Sequence, residues 1–139
     1  MYEVDVVEDH DHLSVDPALL TQVLNNALEQ EGVREAVVTV VLSDHATVRD
    51  LNRVHLNHDF DTDVLAFDLS EEGSDSLDGE IYVDLDTAHE RYHEFGTTFN
   101  HEAIRYALHG LLHLIGYRDK GDADREEMRT LEDLYLANL

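Results

Sequence analysis

AIRYALHGLLHLIGYRDKGD, residues 103–122, decides how the rest of the chain is read. From Ala103 to Ile115 the residues are mostly apolar and predict a helix, and His109 and His113 interrupt that run four positions apart. Four positions is just over one helical turn, so both imidazoles project from the same face. Two imidazoles in a greasy helix are costly to bury unless something binds them. Gly116 suits the left-handed residue that ends a helix, and Asp119 follows three positions later. His109, His113 and Asp119 thus make a three-ligand metal set with an open fourth position. Gly110 stands between the histidines, where glycine costs a helix about 1 kcal/mol relative to alanine. Such a residue implies close approach of another element or of a ligand.

Gly110 also argues against a peptidase. In the zinc-protease pattern H-E-x-x-H the glutamate beside the first histidine is the general base, and Gly110 fills that place without a side chain. The longer spacing from His109 through His113 and Gly116 to Asp119 matches the layout in which a glycine turn returns a third ligand to a histidine helix.

Outward from this helix the chain alternates strands and helices. Tyr2 to Glu8 alternates apolar and acidic residues as a strand, and Val37 to Leu42 is a β-branched buried one. Asp16-Pro17 reads as an N-cap and first helical residue, opening a helix whose stripe is Leu20, Val23, Leu24, Ala27 and Leu28, closed by Gly32. Ser43 or Asp44 caps a second helix running to about His55. Strands are expected at Thr62–Leu69 and Ile81–Leu85, around an acidic loop at 71–78. A helix over Thr87–Phe95 precedes the histidine helix, and a last one runs from Asp122, with Met128, Leu131, Leu134 and Tyr135 inward. The pattern predicts one α+β domain over residues 1–139, with a roughly four-stranded mixed sheet and about five helices.

Thirty-two acids face nine bases, for a formal charge of −23, and Lys120 is the sole lysine. This excludes a nucleic-acid binder of the usual basic kind, since phosphate contacts need Lys and Arg. The absence of cysteine excludes disulfides and thiolate metal sites, leaving His, Asp and Glu as ligands. No apolar segment is long enough to cross a membrane, and the opening MYEVDVVEDHDH lacks the basic and apolar regions of a signal peptide, so a cytoplasmic protein is expected.

Three motifs resemble those of the YbeY family, the rRNA maturation factors described as metal-dependent endoribonucleases. The family pattern H-G-x-L-H-L-x-G-Y-D-H is met by His109-Gly110-Leu111-Leu112-His113-Leu114-Ile115-Gly116-Tyr117-Arg118-Asp119. The pattern L-N-x-x-Y-R-x-x-D-x-P-T-D-V-L-S-F is met by Leu51 to Phe67, reading LNRVHLNHDFDTDVLAF. A G-D-I strand appears as Gly79-Glu80-Ile81. The resemblance covers nearly the whole chain and implies one zinc ion, or another divalent metal, held by His109, His113 and Asp119. It implies cleavage of single-stranded RNA in ribosomal RNA maturation and ribosome quality control, with His109 catalytic. Its implied partners are the small ribosomal subunit and an Era-type assembly GTPase.

The chain departs from the family at informative places. Asp119 replaces the third histidine, which keeps an open site and shifts metal preference toward harder ions. Leu56 replaces the family arginine implicated in RNA cleavage and cannot touch phosphate. Arg53, one helical turn earlier, is the nearest substitute. Asp63 is a candidate general base and, with Arg105 on the histidine stripe, a candidate substrate contact. Asp61 and Ala66 replace a proline and a serine. The loss of the arginine favours an alternative: a metal-stabilised ribosome-assembly factor with weak or no nuclease activity. The acidity itself fits adaptation to molar salt, where screening relieves self-repulsion. Thermal melts from low to molar KCl are expected to show the melting temperature rising with salt. A chain most stable in dilute buffer would contradict that reading.

Overall fold

The computed structural model describes residues 1–56, 63–137 and 139 (of His55 and Leu56, the backbone only). In chain order the elements are β1 (Tyr2–Glu8), α1 (Pro17–Gln30), β2 (Glu35–Ser43), α2 (His45–Leu56), β3 (Val64–Asp68), β4 (Ser76–Asp84), α3 (Leu85–Arg91), a 3-10 turn (Tyr92–Phe95), α4 (Phe99–Ile115) and α5 (Asp122–Leu136). The strands form one mixed sheet in the order β1-β2-β4-β3, with β1, β2 and β4 parallel and β3 antiparallel to β4. This is the expected α+β architecture.

Local chemistry explains most elements. Asp16 caps α1 by accepting from the Ala18 and Leu19 amides, with Pro17 in the first turn. The predicted stripe Leu20, Val23, Leu24, Ala27 and Leu28 is buried in full, and Gly32 follows at φ 76°. In β2, Ala36, Val38, Val40 and Leu42 point into the core while alternate residues point away. Register places Val38 between Val4 and Gly79, and Val40 between Val6 and Ile81.

Three boundaries differ from the sequence reading. β4 begins at Ser76, not Ile81, taking in the end of the acidic loop, because pairing with β2 along Ser76–Asp78 overrides the weak strand propensity of Ser, Asp and Gly. The helix expected over Thr87–Phe95 begins at Leu85, capped by the Asp84 carboxylate, and tightens into the 3-10 turn before Gly96 at φ 67°. β3 starts at Val64; Thr62, its expected first residue, lies outside the described residues.

The contact that positions the site is α4 against the sheet. A Cβ built on Gly110 would lie 2.8 Å from the Ile81 Cγ2 methyl and 3.2 Å from that of Val64. One helical turn on, a Cβ on Gly79 of β4 would meet Leu114 at 2.7 Å and the Phe67 carbonyl oxygen at 2.9 Å. Glycine on the helix therefore receives a large residue of the strand, and glycine on the strand receives a large residue of the helix. The close approach expected at Gly110 is present. Gly110→Ala is expected to lower stability by about 1–2 kcal/mol in urea denaturation, overpacking outweighing the gain in helix propensity. In an Ile81→Ala background the same substitution should be neutral or stabilising.

Candidate metal centre

Thr98 caps α4 by accepting from the His101 amide at 3.2 Å, which fixes where the helix begins and so where each turn faces. At the other end Gly116 adopts φ 127°, Tyr117 N–H bonds to the Leu112 carbonyl at 3.0 Å and Gly116 N–H to that of His113 at 3.1 Å. These paired closing bonds end the helix and turn the chain back over its last turns. The return brings Asp119 to the histidines. His109 and His113 Nε2 are 3.1 Å apart, and Asp119 Oδ2 lies 3.6 Å and 3.5 Å from them. Ligand atoms around a tetrahedral zinc with bonds of about 2.0–2.1 Å are about 3.3–3.4 Å apart. The triangle has the size that one such ion requires.

The donor chemistry fits a cation as well. His109 Nδ1 lies 2.7 Å from Glu132 Oε2, and His113 Nδ1 lies 3.1 Å from the Tyr117 carbonyl oxygen. A carboxylate and a carbonyl only accept, so each Nδ1 carries the hydrogen and each Nε2 is left with a lone pair. Two lone pairs and a carboxylate oxygen then converge on one point. Such a convergence of acceptors suits a metal ion. Burial opposes charge on His109, but the hydrogen bond and charge of Glu132, with Asp63 and Asp119, outweigh it and raise its pKa.

Behind the triad, the supporting groups are themselves held. Glu132 on α5 is buried and also accepts from Arg105 Nη1 at 2.9 Å, while Arg105 Nη2 reaches Asp133 at 2.7 Å. The Tyr117 hydroxyl donates to Glu31 Oε1 at 2.5 Å, and the Tyr135 hydroxyl donates to the other oxygen of the same carboxylate. The bond to Glu31, with partial desolvation, pushes the Tyr117 phenol up to about 12. Glu31 is the residue that caps the end of α1. One carboxylate thus ties α1 to α5 and to the loop carrying Asp119.

His109 and Asp119 border a cleft of about 460 Å³. Four arginines, Arg91, Arg105, Arg125 and Arg129, and four carboxylates, Asp63, Glu102, Asp119 and Glu132, line it. The described lining is balanced in formal charge, in a chain that carries −23. Burial raises the carboxyls of Asp63 and Glu102 above their ordinary range.

Of the residues singled out in the sequence, His109, His113 and Asp119 are brought together, and Asp63 and Arg105 share their cleft. Arg105 is committed to two carboxylates. Arg53 pairs with Asp50 at 2.9 Å on the exposed side of α2 and is not among the described residues of the cleft. The Leu56 side chain and residues 57–62 of the second motif lie outside the described residues. Glu132 was not anticipated. Its one signal is an acid within the stripe of an amphipathic helix, where Leu134 was expected to face inward; Leu134 is instead 63% exposed and Glu132 only 6%. The stripe rotates because Glu132 has His109 and Arg105 to face.

The family model described as Endoribonuclease YbeY matches residues 7–139. A relative from Salinibacter ruber named Endoribonuclease YbeY is 47% identical, over 92% of this chain and 87% of its own length. Another of that name, from Chlorobium phaeobacteroides (strain BS1), is 38% identical over 86% of each chain. The solution structure of a Thermotoga maritima protein aligns with a TM-score of 0.60 and 29% identity, over 98% of this chain and 87% of that one. With the histidine helix, its glycine turn and the returning carboxylate in one site, and with a match along almost its full length, this chain belongs to the YbeY endoribonuclease family.

Proposed function

We propose that this protein is a zinc-dependent endoribonuclease that cleaves single-stranded RNA in the cytoplasm, residues 1–139 acting as one metallohydrolase domain. The observation that carries this reading is the convergence of two imidazole lone pairs and a carboxylate oxygen at the spacing of one tetrahedral ion. The named relatives supply the substrate class. Ribosomal RNA is the proposed substrate, in its maturation and in ribosome quality control. A small-subunit ribosomal protein and an Era-type GTPase are the proposed partners.

When bound, zinc supplies Lewis acidity toward a phosphoryl oxygen and lowers the pKa of water at the open position. The chain's own residues do the rest. Glu132 holds His109 in the tautomer that presents Nε2, and the Tyr117 carbonyl does the same for His113. With Nδ1 on Glu132 and Nε2 among the ligand atoms, His109 has no nitrogen left to move a proton, and its catalytic part is ligation. Asp63 has the carboxyl suited to proton transfer: it lines the same cleft, and burial raises it toward neutral pH. Asp119 in place of an imidazole widens the range of metals toward harder ions.

The alternative assignment, a metal-stabilised assembly factor without nuclease activity, is favoured by Leu56 standing where the family carries arginine. Cleavage of single-stranded RNA in high salt with added zinc separates the two. Wild type is expected to cleave and His109→Ala to be inactive; a wild type that holds zinc and leaves RNA intact selects the assembly factor. Equal cleavage by both proteins would rule out a metal-centred reaction. Bound zinc should fall to background in Asp119→Ala, and zinc affinity should drop roughly 10–100-fold in Glu132→Gln; unchanged affinity in Asp119→Ala would remove that residue from the site. Asp63→Asn is expected to keep zinc while kcat falls by about 10²–10⁴-fold, whereas wild-type kcat would assign the proton transfer elsewhere.

A further inference from the structure

In a chain of 32 acids, four of the nine basic residues line the cleft that His109 and Asp119 border. Two of these four are spoken for by the protein itself. Arg105 spans Glu132 and Asp133, and Arg125 reaches the Asp119 carbonyl at 3.2 Å and the Asp122 carboxylate at 2.6 Å. Arg91 and Arg129 differ. Arg91 touches Glu94 through Nε alone, at 3.3 Å and with both side chains about half exposed. Its two terminal nitrogens make no hydrogen bond among the described residues, and its guanidinium lies 5.4 Å from the Phe95 ring centre. Arg129 is exposed on α5 and has no ion pair among the described residues. Exposed contacts such as that with Glu94 contribute at most about 1 kcal/mol, so little is lost when a ligand replaces it.

The two guanidinium groups come from different helices. Arg91 ends α3 and Arg129 lies on α5, and α4, which carries the histidines, packs against both helices. Both residues line the cleft bordered by His109 and Asp119. A chain of phosphodiesters in that cleft would meet a guanidinium from each of two helices. Guanidinium is the side chain whose fork of donors matches phosphate oxygens. Arg53, the substitute nearest in sequence for the arginine lost at Leu56, is engaged with Asp50 away from these described residues.

We propose that Arg91 and Arg129 are substrate-binding residues that hold backbone phosphates of single-stranded RNA in the cleft that His109 and Asp119 border. They supply from α3 and α5 the cationic contact that position 56 lacks. Phe95 braces the Arg91 guanidinium so that it extends over the cleft. This proposal rests on the RNA-cleaving function and adds to it the residues that hold the strand. It also accounts for how so acidic a protein engages a polyanion: repulsion is general over the surface and locally cancelled along the cleft.

The test is steady-state cleavage of a single-stranded RNA by the zinc-loaded full chain, with Arg91→Gln, Arg129→Gln, Arg91→Lys and, outside the cleft, Arg34→Gln. Each cleft substitution is expected to raise KM roughly tenfold or more, as for loss of a charge-assisted hydrogen bond, with kcat within about twofold of wild type. Binding to single strands weakens with salt at about 0.7 per phosphate contact on log–log axes, so each glutamine should flatten the dependence of KM on KCl by about 0.7. Lysine should restore the slope, since it keeps the charge. Bound zinc, measured alongside, should match wild type. Wild-type KM and salt slope in both glutamine variants, or the same change in Arg34→Gln, would overturn the proposal. Should wild type not cleave, fluorescence anisotropy with the same RNA on chelator-treated protein separates the two ideas. Binding lost only in the cleft variants supports the arginine contacts although the nuclease reading fails; equal binding by all variants, or none by wild type, overturns them.

Discussion

Helix α4 lies on strand β4 with no side chain between them at Gly110, and none between them at Gly79. Ile81 fills the first gap and Leu114 the second, so the two elements are locked in register along the helix axis and at a fixed distance. That distance determines the site. A helix held this close by one face sets the height of its flank above the sheet, and His109 and His113 stand on that flank. Translation along the axis by one residue would replace glycine by His109 or Leu111 at the Ile81 contact, which the packing cannot accommodate. The geometry of the imidazoles is therefore decided at a contact made by two glycines and the aliphatic side chains of Ile81 and Leu114.

Electrostatics completes what packing begins. Glu132 is a carboxylate buried among apolar neighbours, a position that is destabilising unless it is paired. His109 and Arg105 pair it, and the same bonds hold the His109 ring in the tautomer a metal needs. A group costly to bury is tolerated because two neighbours require it. Most other acids lie on the surface, while four of the nine bases line the cleft beside His109 and Asp119.

How much of this could be read from the chain follows from the range of each signal. The caps and stops are local: Asp16-Pro17 opens α1, Gly116 closes α4, and both are visible in two or three letters. The triad was legible because its members lie within one helix and one turn, so spacing alone brings them together. Gly110 disclosed a close approach without naming the neighbour. What escaped depends on residues distant in sequence. Glu132 reads as a flaw in an apolar stripe until His109 and Arg105 are placed opposite it, and Leu134 then faces solvent. Ser76 to Asp78 reads as loop until β2 claims its backbone. Arg91 reads as any surface arginine, and Arg53 as the nearer substitute, because distance along the chain says nothing about which wall of the cleft a helix forms.

The carboxylate of Glu31 carries a consequence for how the chain acquires its site. It accepts from Tyr117, 86 positions away, and from Tyr135, 104 positions away. Both contacts close very long loops, and loop closure must be met entropically before such contacts contribute. The histidine pair forms with its helix, by short-range bonds alone. The loop that delivers Asp119 turns back by local bonds, but its Tyr117 side chain is anchored only once the first helix has docked. Full anchoring of that loop is thereby tied to long-range contacts of the fold. A chain whose C-terminal helix is absent or undocked holds two imidazoles and an unanchored carboxylate, and gains less from the metal than the finished protein does. The order of the proposed metal site thus depends on a carboxylate that touches none of its three candidate ligands.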